Sequence, residues 1–474
     1  MPSSPSTLYR VSSKQGAGRW PLAALPSLDP VIRTGLAAAL LLLGAAAQAT
    51  PQIQTWQTGN GARVLFVAAP ELPMVDVRVV FDAGSARDGD RPGLAAFTAS
   101  MLNEGARDWN ADTIAERLEN VGAELGASAD RDMTAVSLRS LTREPALDTA
   151  LTTLSGVLAA PNFPPDDLER MRENALIGLR QEEEQPGKVG QKALYRQIFG
   201  SHPYAADPSG TATSIRALTR EDLQGFHQRY YTGANAVVAI IGALDRPAAE
   251  ALAERVVGGL PQGERPAPLP EVPDLGADSL ERISFPSSQT HVLAGQPGMR
   301  RGDPDYFALY LGNHILGGSG LVSQLMEEVR EKRGLSYSTY SYFLPLAQPG
   351  PFLMGLQTKN AQADEARKVM IDTVKRFVAE GPTEAELAAA KKNLTGGFPL
   401  RIAENAEIVQ YLAVIGFYGL PLDYLDRFTD RVEAVTADQI RDAFARRVHP
   451  ERLAIVTVGG DGSTAQVSAA GDPG

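Results

Sequence analysis

The chain has 474 residues, 43% of them hydrophobic and 21% charged, enough to bury full cores in about two to four domains. A net charge of −11, with no basic run, argues against a nucleic-acid or anionic-membrane partner. The absence of cysteine excludes disulfides, thiol catalysis and Cys-bound zinc.

In chain order, an apolar run from Gly35 to Ala47 follows Arg33 and ends in Ala47-Gln48-Ala49. This pattern predicts a secretory signal peptide cleaved after Ala49, within a leader spanning residues 1–49. The run is too short for a comfortable membrane span, so a periplasmic protein without a membrane anchor is expected. Gln52–Trp56 and Arg63–Val67 read as strands joined through Gly59-Asn60-Gly61. Val75, Val77, Val79 and Phe81 alternate as a third strand. Gly93 to Leu102 is a small apolar helix, and Asn110 to Val121 is a second, stopped by Gly122. Ala123–Ala129 and Met133–Leu141 form a strand pair turning at Asp130-Arg131-Asp132. Leu147, Leu151, Leu154 and Leu158 mark a helix, Asp166 to Glu184 a longer one ended by Gln185-Pro186-Gly187, and Val237–Ile241 an apolar strand. Pro261 to Asp278 is proline-rich, has no periodicity and reads as a linker.

The second half repeats the first. Leu218-Thr219-Arg220-Glu221-Asp222-Leu223, followed by a helix, a strand and Gly242, matches Val435-Thr436-Ala437-Asp438-Gln439-Ile440 and Gly459 at a spacing of 217. Leu168, Asn174 and Gly178 match Leu387, Asn393 and Gly397 at 219. The expected fold is α+β: two homologous units over residues 50–260 and 279–460, each with a mixed, mostly antiparallel sheet and helices. A Gly/Ser/Ala-rich tail at 461–474 is expected to be disordered.

One stretch carries a chemical signal. From Leu321, the residues Leu325, Met326 and Val329 recur at helical spacing, Gly334 supplies a stop, and alternation from Tyr337 to Leu344 predicts a strand. Arg330 and Tyr337 then flank one turn that can fold them together. They offer a fixed cationic fork and a phenolic donor suited to a peptide carbonyl or its oxyanion. The bland alternative pairs Arg330 with Glu327 and puts Tyr337 in the core. Gly317-Gly318-Ser319-Gly320 reads as a flexible loop or as a plain turn between helices. It is not a phosphate loop, because Leu321-Val322 follows rather than Lys-Ser/Thr.

These pieces resemble the pitrilysin/insulinase peptidases, which include the mitochondrial processing peptidases. The resemblance runs from about residue 55 to 460. It rests on Phe81-Asp82-Ala83-Gly84-Ser85, His202-Pro203-Tyr204, Tyr230-Tyr231-Thr232-Gly233-Ala234-Asn235, Ile315-Leu316-Gly317-Gly318 and, most specifically, Val329-Arg330-Glu331-Lys332-Arg333-Gly334-Leu335-Ser336-Tyr337. It implies a half-clamshell that pairs with a second half around a peptide chamber. Active members carry His-x-x-Glu-His on the first long helix, where two His at i and i+4 hold zinc and the Glu activates water. Here those positions hold Ala96, Ala99 and Ser100, and the downstream Glu ligand falls at Gly178. The resemblance therefore implies no zinc in this chain, zinc in a homologous partner subunit, an unfolded peptide as substrate, Arg330 and Tyr337 reaching across to the partner's site, and Gly317, Gly318, Ser319 and Gly320 lying where the zinc-less processing-peptidase subunit has a glycine-rich loop that meets substrate. An inert scaffold or peptide-binding protein of the same fold is the alternative.

Overall fold

The computed structural model describes residues 52–460. The expected leader over 1–49 and tail over 461–474 lie outside the described residues. Among those described, no helix is long and apolar enough to cross a membrane.

The fold is α+β with two mixed sheets. The first contains β1 (Gln54–Gln57), β2 (Arg63–Ala68), β3 (Met74–Phe81), β4 (Glu124–Ala129), β5 (Thr134–Leu141) and β6 (Ala236–Gly242), in the order β1-β2-β6-β3-β5-β4. Only β2 and β6 run parallel. The second contains β7 (Ser279–Ile283), β8 (Gln289–Pro297), β9 (Thr339–Phe343), β10 (Pro351–Lys359) and β11 (Ala454–Val458), in the order β9-β10-β8-β11-β7. Read from its other edge, this repeats the first sheet without β1, including its single parallel pair, β11 with β7.

The sequence repeat is a structural repeat. Thr219 and Thr436 each cap a helix through a reciprocal capping box, over Arg220–Tyr230 and Ala437–Arg447. Helices Pro165–Glu183 and Glu384–Gly397 begin 219 residues apart, as do Pro186–Phe199 and Asn405–Tyr418. The last two are exchanged between the halves. Helix Pro186–Phe199 lies on the second sheet, where a Cβ on Gly190 would come within 2.7 Å of Leu293 Cδ1. Helix Asn405–Tyr418 lies on the first, where a Cβ on Gly416 would come within 2.4 Å of Val237 Cγ1. Leu65, Val237 and Ile241 accordingly share one buried core with Leu412 and Ile415.

The stretch from 261 to 278 has no helix or strand, yet it is seated. Leu269, Val272 and Leu275 pack against the core beside Tyr204. Arg87 donates to Ala267 O at 2.8 Å, and Gln348 donates to Leu269 O at 3.1 Å. Beneath it, the buried Asp132 carboxylate joins the halves, accepting from Tyr204 at 2.5 Å, Tyr418 at 2.9 Å and the Ala347 N–H at 2.7 Å.

Candidate functional site

Ser323 starts the segment that carries Arg330, its hydroxyl accepting from Met326 N–H at 3.4 Å. One helical turn, Gln324–Met326, widens into a π turn over Glu327–Glu331, with Lys332 N–H bonded to Glu327 O at 2.9 Å. Leu325, Met326 and Val329 are buried as their spacing predicts. Leu321 is a correction: it is 65% exposed, on a short 3-10 turn set apart by Gly320 at φ +63°.

Gly334, at φ +60°, closes the segment. Its N–H meets Arg330 O at 2.8 Å, and Leu335 N–H meets Val329 O at 2.9 Å, a nested closure one residue wider than a Schellman turn, as the preceding π turn requires. Leu335 is buried, and Ser336 Oγ lies 2.6 Å from Gln357 O. The strand starts at Thr339, two residues later than its alternation predicts. Tyr337 therefore sits on a crest between two anchored points and is 82% exposed.

Arg330 folds over it, with Cζ 4.8 Å from the Tyr337 ring centre. An exposed stack of this kind stabilises by about 0.5–1 kcal/mol. The ion pair with Glu327 that the bland alternative proposes does not form; Arg330 pairs with Glu331 instead, Nε to Oε1 at 3.4 Å. The core position for Tyr337 is also overturned. Glu327 pairs instead with Lys332 at 3.0 Å.

Sequence reasoning missed Glu328. Its buried carboxylate accepts from Lys332 at 2.9 Å, Arg333 at 2.6 Å and Arg376 at 3.1 Å, clamping the turn beneath Arg330. The signal was present in the i, i+4 spacing of Glu328 and Lys332.

The glycine stretch is not one open loop. Gly317 and Gly318 belong to a π turn over His314–Gly318. A Cβ on Gly317 would lie 2.4 Å from Ser341 Oγ, so this glycine permits close packing on β9. Ser319 and Gly320 form the junction to the next turn.

Ala96, Ser100 and Gly178 come together around a cavity of about 400 Å³ between helices Leu94–Met101 and Pro165–Glu183. Ala99 is buried, 1% exposed, and does not line it. Ser100 Oγ donates to Phe97 O at 2.8 Å. A Cβ on Gly178 would meet nothing within 4 Å. Glu182, the one carboxylate lining the cavity, is paired with Lys192 at 2.7 Å.

Two family models match the chain: insulinase (peptidase family M16) over residues 63–211, and peptidase M16 inactive domain over 217–394. The crystal structure of a peptidase M16 inactive domain from Pseudomonas fluorescens superposes with a TM-score of 0.84 at 40% identity, covering 89% of this chain and all of that one. The chain belongs to the insulinase (M16) peptidase family. Among M16 relatives, an uncharacterized zinc protease of Mycobacterium tuberculosis is 29% identical, over 85% of this chain and 92% of its own. A non-peptidase homolog from Helicobacter pylori is 28% identical, over 85% and 93%.

The zinc of active M16 members does not fit the residues found here. Two methyl groups, a hydroxyl already bonded to backbone and a glycine supply no ligand set. Among the described residues, no group of three or more His, Asp or Glu side chains could hold a metal ion. Two of the five histidines, His202 and His227, serve packing. His202 Nδ1 accepts from Tyr204 N–H at 3.1 Å, so its Nε2 carries the proton donated to Pro270 O at 3.0 Å. His227 is buried, stacks on Tyr231 at 4.7 Å and bonds Leu158 O at 2.8 Å. Burial holds both below the usual histidine range, in the neutral form.

Proposed function

We propose that this M16 chain is the non-metal subunit of a heteromeric, exported zinc peptidase. A homologous subunit supplies the zinc and the general base. This chain binds an unfolded peptide and presents Arg330 and Tyr337 to the scissile carbonyl. The observation that carries the reading is the half-buried Arg330 stacked on the exposed Tyr337, kept on a clamped turn in a chain whose Ala96, Ala99, Ser100 and Gly178 offer no metal ligands.

In this reading the Arg330 guanidinium, with one ion pair among the described residues, donates to the peptide carbonyl oxygen. The Tyr337 hydroxyl makes no hydrogen bond among the described residues and supplies a second donor as negative charge develops there. Ser319 and Gly320, next to the mouth of the same segment, meet the substrate backbone.

The test is a mixing assay with a zinc-bearing homologue from the same host. Arg330→Ala and Tyr337→Phe leave complex formation intact and slow the partner's turnover, each costing about 3–4 kcal/mol at the barrier. Full turnover with both variants overturns the reading. A catalytically inert, peptide-binding scaffold is the second reading. The Helicobacter pylori relative's description as a non-peptidase homolog favours it, and it predicts unchanged turnover in that assay.

A further inference from the structure

Beside the Gly317–Gly318 turn lies a larger opening, of about 770 Å³. One wall is helix Tyr306–Asn313, where Tyr306 and Tyr310 stack with centres 5.8 Å apart and planes 7° apart. The other is the edge strand β9, where Tyr340 and Tyr342 stack at 5.8 Å and 23°. Arg301, Arg401 and His314 complete the lining, which contains no Asp or Glu. On a protein of net charge −11, this is a local reversal of sign.

Neither guanidinium has a carboxylate partner among the described residues. Arg401 donates to the Tyr310 hydroxyl at 2.6 Å. Arg301 Nε is buried and makes no hydrogen bond among the described residues. Two guanidiniums without counter-ions beside paired aromatic faces suit a ligand that carries both carboxylates and apolar groups.

The surroundings argue for an extended chain. Tyr340 and Tyr342 also line a second cavity, of about 520 Å³, which Gln185 borders. Gln185 in turn borders the cavity formed by Ala96, Ser100 and Gly178. The three openings share lining residues in series, from Ala96, Ser100 and Gly178 through Gln185 to Tyr340 and Tyr342, a succession an extended segment could follow.

Main-chain strand addition at β9 is blocked. Ser341 O accepts from Asn313 at 3.1 Å, and Thr339 N–H faces Met326 Sδ at 3.3 Å. Recognition must therefore come from side chains. We propose that this cleft binds an acidic, aromatic-containing segment of an extended peptide, with its carboxylates on Arg301 and Arg401 and its apolar side chains against the four tyrosines. The proposal rests on the peptide-binding reading above and adds a substrate class to it.

The experiment uses the full isolated chain and two dye-labelled flexible peptides of equal length. One alternates Glu with Phe and the other Lys with Phe, and fluorescence anisotropy is read across a salt series. The Glu peptide binds, more weakly as salt rises, and the Lys peptide does not. Arg401→Gln and Arg301→Gln each weaken binding by about tenfold, the loss of one charge-assisted hydrogen bond, with unchanged circular dichroism and melting. Tyr340→Ala weakens it at every salt concentration. Equal binding of the two peptides, binding of neither, or full affinity in both folded arginine variants overturns the proposal. No turnover is read, so such a result leaves the Arg330–Tyr337 reading to its own assay.

Discussion

Arg330 owes its position to a residue that does not touch it. Burial pushes the Glu328 carboxyl up, but hydrogen bonds from Lys332 and Arg333 and the charge of Arg376 outweigh burial and bring it down to about 2. A carboxyl held below its ordinary value of 4.5 stabilises the fold fully above that pH. The contribution is lost as pH falls from about 4.5 toward about 2. Glu328→Gln is expected to remove roughly 1–3 kcal/mol of local stability. Amide hydrogen exchange over residues 330–337 reads this as faster opening at pH 6, with a smaller change on acidification than in the unaltered chain. The meeting of Arg330 and Tyr337 was legible, because Gly334 marks where the chain reverses. The exposure of Tyr337 was not, because alternation cannot tell a strand from the crest before it. The hydrogen bond of Ser336 to Gln357 O and the pairing of Thr339 with Leu356, both long-range, decide that.

The elements that join the halves are the exchanged helices Pro186–Phe199 and Asn405–Tyr418. Gly416→Val pushes branched carbons into Leu65 and Val237, where even a Cβ would sit 2.6 Å and 2.4 Å from their methyls. The expected cost is about 1–3 kcal/mol, read as a lower denaturant midpoint. Gly317→Ala meets Ser341 in the same way and is expected to lower stability without touching the exposed Gly320. The 217 offset was legible because the capping Thr219 and Thr436 and the terminal Gly242 and Gly459 recur in register, and the 219 offset because Leu168, Asn174 and Gly178 recur as Leu387, Asn393 and Gly397. Helix Pro186–Phe199 was not. Gln185-Pro186-Gly187 reads as a stop, yet proline in the first turn also starts a helix, and here it does both. Leu321 misled in a similar way: its spacing fits a helix that Gly320 and Ser323 begin later.

At the scale of the whole molecule, the fold is duplicated, and Ala96, Ala99, Ser100 and Gly178 offer no set of metal donors. The cleft where Ala96, Ser100 and Gly178 meet has Glu182 as its one carboxylate, tied to Lys192. The chemistry of those positions is read from the residue types, since methyl groups and a missing side chain cannot ligate zinc. The aromatic cleft was not readable, because Tyr310 and Tyr340 come to line one opening only through the packing of helix Tyr306–Asn313 beside β9. Purified, dialysed protein is expected to hold no stoichiometric zinc by elemental analysis. The central claim is a division of labour, in which this chain steadies the peptide and a partner cuts it. Its most direct test is cleavage of an unfolded peptide by the dialysed, isolated chain, with and without a chelator. The account predicts no cleavage in either case. Chelator-sensitive cleavage by the chain alone would contradict it.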